Sequence, residues 1–391
     1  MSQVVLTRAH RTAIGDFGGS LKSVSPAELA RLTVEHVVTR IGDASIVDKV
    51  FFGNCFAPLE QNVARNASYN AGIPEHVPGI TINGTCGSSM QAVISATQAV
   101  QCGEGRLVLA GGVESMSNAP YIVESARWGQ RLRHYETYDL LWKGMQEYPI
   151  GVGMGLTAEN LAEKYGISRQ DQDAFAVQSH QRATRAIREG KFGAEIIPVT
   201  VAQPKKEAII FDTDEHVRPD VTLEKLSKLP PAFKKNGTVT AGNACGMNDA
   251  AAALVITTLE RARELDLEPL MAIKGYKVVG VDPNIMGIGP VPAIRGALQN
   301  SGLRLGDVDR FEINEAFAAQ YLACERELGL DREKVNVNGN GIALGHPVGA
   351  TGCRLLVTLF HGMVADNLNT GVASLCAGGG MGFAVALERV S

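Results

Sequence analysis

Residues 82–92 read I-N-G-T-C-G-S-S-M-Q-A, a glycine-flanked turn with Cys86 at its centre, and the pattern on either side of it decides the fold. Ahead of the turn lies a short apolar run at 80–83. Behind it a small-residue helix passes through Met90, Val93, Ile94 and Ala99 to about Cys102, and an apolar run at 107–110 ends in Gly111 and Gly112. Runs this short and apolar read as buried strands, while the longer stretch between them has helical periodicity. Further out, 3–6 and 50–52 read as strands and 26–41 as an amphipathic helix. Strands alternating with helices define the α/β class, and the alternation predicts a largely parallel sheet.

The unit recurs in the last third of the chain. Pro292 and Ala293 open a helix as Pro26 and Ala27 do, and 309–313 echoes 48–52. A helix after Gly349 leads to a strand at 372–376 and then to Gly378, Gly379 and Gly380, all at an offset of roughly 260 residues. Two copies of one unit imply a duplicated α/β fold whose related turns face a shared cleft. Between them, 119–236 changes character: polar helices at 157–165 and 169–189 precede an irregular charged stretch holding Pro204, Pro219, Pro230 and Pro231. Such an inserted loop domain more often carries ligand contacts than fold stability. The expected division is 1–118 with 237–268 as one half, 119–236 as the insertion, and 269–391 as the second half.

Composition narrows the function. A chain of 391 residues, 45% hydrophobic and 20% charged, can bury two core halves. A net charge of −4 argues against a nucleic-acid or membrane-surface partner, which would need a basic face. With no apolar run of the roughly eighteen residues needed to span a bilayer and no signal-like start, a cytoplasmic location is expected. The seven cysteines, at 55, 86, 102, 245, 324, 353 and 376, are odd in number and never spaced C-x-x-C. A disulfide framework or structural metal is therefore not expected, which leaves packing and nucleophilic chemistry.

Four segments carry that chemistry. Cys86 sits at a strand-to-helix turn; a free thiol of pKa about 8.5 is only about 3% ionised at pH 7, and a helix N-terminus with a nearby base raises that fraction. An acyl group on sulfur is itself a thioester, so exchange with another thiol runs easily either way. Residues 339–352, G-N-G-I-A-L-G-H-P-V-G-A-T-G, set His346 among glycines that give an imidazole room to meet a nucleophile and a carbonyl. Residues 376–382, C-A-G-G-G-M-G, offer a second thiol at Cys376 and uncovered backbone N–H groups around Gly378, a donor set for an oxyanion. In N-E-A-F-A, 314–318, Asn314 can hold a polar group and Phe317 can wall a pocket. Taken singly, each is as readily a packed cysteine, a surface histidine, a tight strand end or a helix cap.

Together, in this order and spacing, the segments resemble the thiolase family of acetyl-CoA acetyltransferases and 3-ketoacyl-CoA thiolases. The resemblance extends to A-G-G-V-E-S-M-S-N at 110–118, M-G-L-T-A-E-N at 154–160, G-T-V-T-A-G-N-A-C-G at 237–246 and M-G-I-G-P-V-P-A at 286–293. It implies the thiolase fold: duplicated βαβαβαββ halves in a five-layered αβαβα arrangement with an inserted loop domain. It also implies that His346 takes the proton of Cys86, that the N–H groups of Cys86 and Gly378 hold the oxyanion, and that Cys376 is the carbon-acid base. Asn314 would position a water beside His346. By the same resemblance coenzyme A is a substrate, with no permanently bound cofactor and no metal. Arg218 would lie near its adenine and phosphate end, Cys245 near the pantetheine, and Met154, Phe233, Met286 and Phe317 around the thioester and acyl chain. A homodimer or homotetramer is implied, and an accessory subunit is left open.

Three departures bear on substrate. Cys245 replaces the usual serine, Gly153 stands where acetoacetyl-CoA enzymes often carry histidine, and Gly84-Thr85 replaces a bulkier pair. They suggest an acyl group that is longer, branched or aromatic, such as a benzoylsuccinyl-type thioester. Decarboxylating condensing enzymes share the duplicated fold but need no carbon-acid base, so Cys376 and Asn314 argue against them. A catalytically silent scaffold subunit would be expected to have lost one of Cys86, Asn314, His346 or Cys376.

Overall fold

In the computed structural model, which describes residues 3–203 and 205–390, each element begins and ends for a local reason. Met1, Ser2, Ser391 and the expected break at Pro204 lie outside the described residues. In chain order the principal elements are strand β1 (Val4–Thr12), helix α1 (Pro26–Ile41), β2 (Lys49–Gly53), α2 (Val63–Asn70), β3 (Gly79–Ile82), α3 (Ser88–Gln101) and β4 (Leu107–Ser115). The long connection that follows carries α4 (Met154–Tyr165) and α5 (Arg169–Arg188) before β5 (Asn248–Thr258) completes the half. Then come β6 (Met271–Gly280), α6 (Pro290–Ser301), β7 (Arg310–Ile313), α7 (Ala318–Leu328), α8 (Thr351–Ala365), β8 (Thr370–Ala377) and β9 (Met381–Arg389). Helix α1 starts where the Ser25 side chain accepts the Glu28 N–H, with Pro26 in its first turn, and stops at Gly42, φ 92°. Ser168 and Asp171 form a reciprocal capping box at the start of α5.

The second half repeats the first strand for strand. β7 runs parallel to β8 as β2 does to β4, β8 is antiparallel to β9 as β4 is to β5, and β9 is antiparallel to β6 as β5 is to β1. The counterpart of β3 is reduced to one bridge between Phe311 and Val335. The strand order is β7-β8-β9-β6-β1-β5-β4-β2-β3, and among the described residues the halves meet edge to edge at Val5–Ala272 and Leu6–Met271. The sheet is mixed rather than largely parallel. Along this path only β2–β3, β2–β4 and β7–β8 are parallel. The cause is the connection: β8 turns straight back into β9 through residues 378–380, and a strand that returns without a crossover runs antiparallel. The first half pairs its last strands the same way, with the insertion hung on the corresponding turn.

Five layers result, held by three large cores, of which the middle one covers both faces of the central helices. Leu29, Val34 and Val37 of α1 pack on Val50 and Phe52 on one outer face. Ile294 and Leu298 of α6 pack with Tyr321 and Leu322 of α7 on the other. The middle layer is α3 with α8, whose Met90, Val93, Leu355 and Leu356 pack between Leu254, Leu375 and Phe383 of the two halves. Strands covered on both faces have no polar side to show, which is why all nine residues of β4 are buried. Glycine sets the spacing of the middle layer: a Cβ at Gly352 of α8 would lie 2.5 Å from the backbone nitrogen of Met90 in α3. This close pairing brings the start of α3, after Cys86, beside the loop that leads from His346 into α8. Among the described residues no helix is long and apolar enough to cross a membrane.

Candidate active site

Cys86 ends a tight turn between β3 and α3. Thr85 before it has φ 53°, a left-handed conformation that is rare for a β-branched residue, so the surrounding bonds must hold it. They do so from several sides. The Thr85 N–H donates to Asn83 Oδ1 (3.0 Å), its carbonyl accepts from Ser88 Oγ (2.6 Å) and from the Cys55 thiol (3.0 Å), and its hydroxyl lies 2.8 Å from the Gly84 carbonyl and 3.2 Å from that of Gly378. The last contact ties the turn to the strand end of the other half. The Gly378 N–H in turn bonds to the sulfur of Cys86. Burial raises the Cys86 thiol to about 11 against this opposing hydrogen bond, so at rest it is protonated.

His346 is held by its backbone and by one ring nitrogen. Its N–H donates to Asn248 Oδ1 (2.8 Å), and Gly345 before it has φ 108° with the Asn248 side chain where a Cβ would stand. Nδ1 lies 2.7 Å from Thr351 Oγ1, whose own proton goes to the Pro347 carbonyl at 2.9 Å. A hydroxyl has one proton, so Thr351 accepts here and Nδ1 carries the hydrogen; Nε2 keeps its lone pair. Burial, and then the charge of Arg354, lowers the imidazole to about 3, which keeps it neutral. Asn314 Nδ2 lies 3.4 Å from the same Nδ1, a contact between two donors that makes no hydrogen bond in this tautomer, and its Oδ1 is buried without a partner among the described residues.

One cavity of about 210 Å³ collects most of the residues singled out from sequence: Cys86, His346, Gly378, Met154, Cys245, Met286 and Phe317 all line it. Cys376 and Asn314 are fully buried and not on its wall. Cys376 nevertheless stands close to the site: its thiol is pushed well up by burial and then by the neighbouring thiols of Cys86, Cys324 and Cys245. Phe233 packs edge-on against Phe317, ring centroids 6.0 Å apart, and does not line the cavity. Arg218 is exposed and does not line it either; its backbone N–H donates to His180 Nδ1 at 3.2 Å. Among the described residues no group of three or more His, Cys, Asp or Glu is placed to hold a metal ion.

The wall also holds residues that sequence reading passed over: Cys55, Phe56, Met145, Tyr148 and Val348. Phe56 could have been found. At the offset of 261 that relates β2 to β7, it is the duplicate of Phe317, and both rings face the cavity. Tyr148 follows a short helix, Leu140–Gln146, in the insertion, and its ring lies against Gly378 and Gly379, where a Cβ would come within 3.3 Å and 3.1 Å of it. No periodicity marks it. Gly153, one of the three departures, is tightly packed: a Cβ there would meet the Gln146 carbonyl at 2.8 Å.

Sequence and fold comparisons agree with this geometry. The thiolase N-terminal domain profile matches residues 4–260 and the thiolase C-terminal domain profile residues 267–389. The chain belongs to the thiolase family. It is 48% identical to a probable acetyl-CoA acyltransferase of Staphylococcus aureus, over the full length of both chains. The crystal structure of the Bacillus anthracis acetyl-CoA acetyltransferase superposes with a TM-score of 0.97 at 50% identity, covering 100% of this chain and 99% of that one. Human mitochondrial 3-ketoacyl-CoA thiolase superposes with a TM-score of 0.95 at 42% identity, covering 100% and 99%, and has also been solved in complex with CoA. A thiolase of this kind is a CoA-dependent acyltransferase.

Proposed function

We propose that this thiolase catalyses the reversible thiolytic cleavage of a 3-oxoacyl-CoA by CoA, through an acyl group carried on Cys86. The observation that supports it most is the cavity itself, where Cys86 and His346 share a wall and the Gly378 N–H points at the Cys86 sulfur. Cys86 loses its proton to Nε2 of His346 and attacks the C3 carbonyl; the oxyanion is held by the N–H groups of Cys86 and Gly378. The C2–C3 bond breaks and the departing acetyl-CoA carbanion takes a proton from Cys376; CoA thiol then gives its proton to the Cys376 thiolate and takes the shortened acyl group as a new thioester, while His346 returns its proton to the Cys86 sulfur. Asn314 holds a water beside His346 that stabilises the enolate oxygen. Burial favours neutral thiol and neutral imidazole at rest, so the ion pair is a state the substrate must help to form.

On this reading the insertion, 119–236, brings Met154 beside the thioester with Phe233 behind Phe317, and leaves Arg218 near the adenine end of CoA, with Cys245 along the pantetheine. Homodimer or homotetramer assembly in the cytoplasm belongs to the same proposal. A wall of Phe56, Met145, Tyr148, Met154, Met286, Phe317 and Val348 offers large apolar surface, which supports an acyl group longer than acetyl. The test is mass spectrometry after incubation with acyl-CoA, with Cys86→Ala as the blank. A labile adduct on Cys86, and thiolysis without a malonyl donor, are expected; absence of the adduct refutes the proposal. A preference for acetoacetyl-CoA of about tenfold or more over longer substrates refutes the acyl-length part.

A further inference from the structure

Glu114 is fully buried at the end of β4, takes no part in the chemistry above, and forms no ion pair among the described residues. Four donors converge on it. Oε1 accepts from Asn54 Nδ2 and from the Phe56 N–H, both at 3.0 Å; Oε2 accepts from the Cys55 N–H at 3.1 Å and the Gly349 N–H at 2.9 Å. These donors belong to two segments that meet at the site. Cys55 and Phe56 line the cavity, and the Cys55 thiol bonds to the carbonyl of Thr85 in the nucleophile turn. Gly349 lies three residues after His346 and two before Thr351 and is pressed onto the first half, where a Cβ would stand 2.7 Å from the Val113 carbonyl and 2.8 Å from Glu114 itself. The carboxylate is thus a clasp between the histidine loop of one half and the cysteine turn of the other.

We propose that Glu114, as the anion, is the positioning residue that keeps the His346 loop in register with the Cys86 turn. All four partners are donors, so only a group that accepts at both oxygens fits; a proton on either oxygen would face two N–H groups. Burial works against that anion more strongly than the backbone N–H groups of Phe56, Gly349 and Cys55 support it, and its carboxyl is raised to about 7. The titratable groups that feel its charge are the thiols of Cys55 and Cys86, both raised by it. Parting the two segments while the carboxyl stays buried strips N–H donors from the anion and raises its carboxyl further, so protonation favours the parted state and the clasp loosens on acidification through about pH 7, where the neutral His346 and the protonated Cys86 do not titrate.

The test uses the full chain as wild type, Glu114→Gln and Asn54→Leu, with amide hydrogen exchange at Cys55, Phe56 and Gly349 and the rate of Cys86 acylation, both against pH. Wild type is expected to protect these amides above about pH 7 and lose protection below it, with acylation falling in step. In Glu114→Gln the protection is lost at every pH, and acylation drops by about tenfold or more with the acid limb gone. Asn54→Leu removes one donor from the anion and moves the limb to higher pH. Protection in Glu114→Gln equal to wild type overturns the proposal; should that variant not fold, an unmoved limb in Asn54→Leu overturns it. The inference rests on the thiolase reading only for its kinetic arm. If wild type forms no acyl-Cys86, that reading fails and the exchange data still decide the clasp.

Discussion

Thr351→Val is the most informative single change at the histidine. Valine matches threonine in shape and removes the oxygen that accepts the Nδ1 hydrogen at 2.7 Å and donates to Pro347 at 2.9 Å. A buried N–H left without an acceptor costs about 1–3 kcal/mol. The imidazole can escape that penalty by moving its hydrogen to Nε2, where it can no longer take the proton of Cys86. At about 1.36 kcal/mol per factor of ten, the productive tautomer falls by roughly 5- to 150-fold, and kcat with it. KM for CoA should change far less, because Thr351 does not line the cavity. Rapid-quench mass spectrometry of acyl-Cys86 formation measures the step directly, and Thr351→Ser should recover most of it. A valine variant that folds normally and acylates within about twofold of wild type would refute the tautomer assignment.

Three further outcomes follow from the geometry. Tyr148→Ala should relax discrimination toward bulkier acyl groups by about tenfold while Tyr148→Phe leaves it unchanged, since the ring rather than a protein hydrogen bond walls the cavity; a substrate panel in the thiolytic direction reads this, and equal profiles for all three proteins would count against it. Gly87→Ala places a Cβ 2.2 Å from the Phe383 ring, so thermal melting should show a loss of about 1–3 kcal/mol, with an unchanged melt as the contrary result. Because burial raises the Cys86 thiol, its thiolate appears only at high pH: iodoacetamide labelling should keep climbing to about pH 11. A plateau near the ordinary thiol value of about 8.5 would show the cysteine to be pre-ionised.

How much of this was legible in the sequence follows from what kind of signal each residue leaves. Cys86, His346 and Gly378 stand in glycine runs, and glycine runs are visible because backbone that must pass within 3 Å of other backbone cannot carry a side chain. The duplication was legible because both halves bury the same faces. Strand direction was misjudged: alternation of strand and helix says nothing of the final pair in each half, where no helix intervenes. Glu114, Thr351 and Asn248 were passed over because a polar residue in an apolar strand or a helix start looks the same whether it serves one neighbour or four. Tyr148 sits in the insertion, where exposed and cavity-facing aromatics such as Trp142 and Tyr148 share one composition. Only the folded chain distinguishes them.

The two halves share a blueprint but not a workload. Where the first half carries Cys86 ahead of its central helix, the second carries Gly349 ahead of the matching one, and where the first extends its last turn into a long excursion, the second closes it through residues 378–380. A pair of facing, related turns could in principle have made two mirror sites competing for one cleft. With the sulfur ahead of only one central helix and the long connection on only one half, the two related turns are not interchangeable and the cleft has a single orientation.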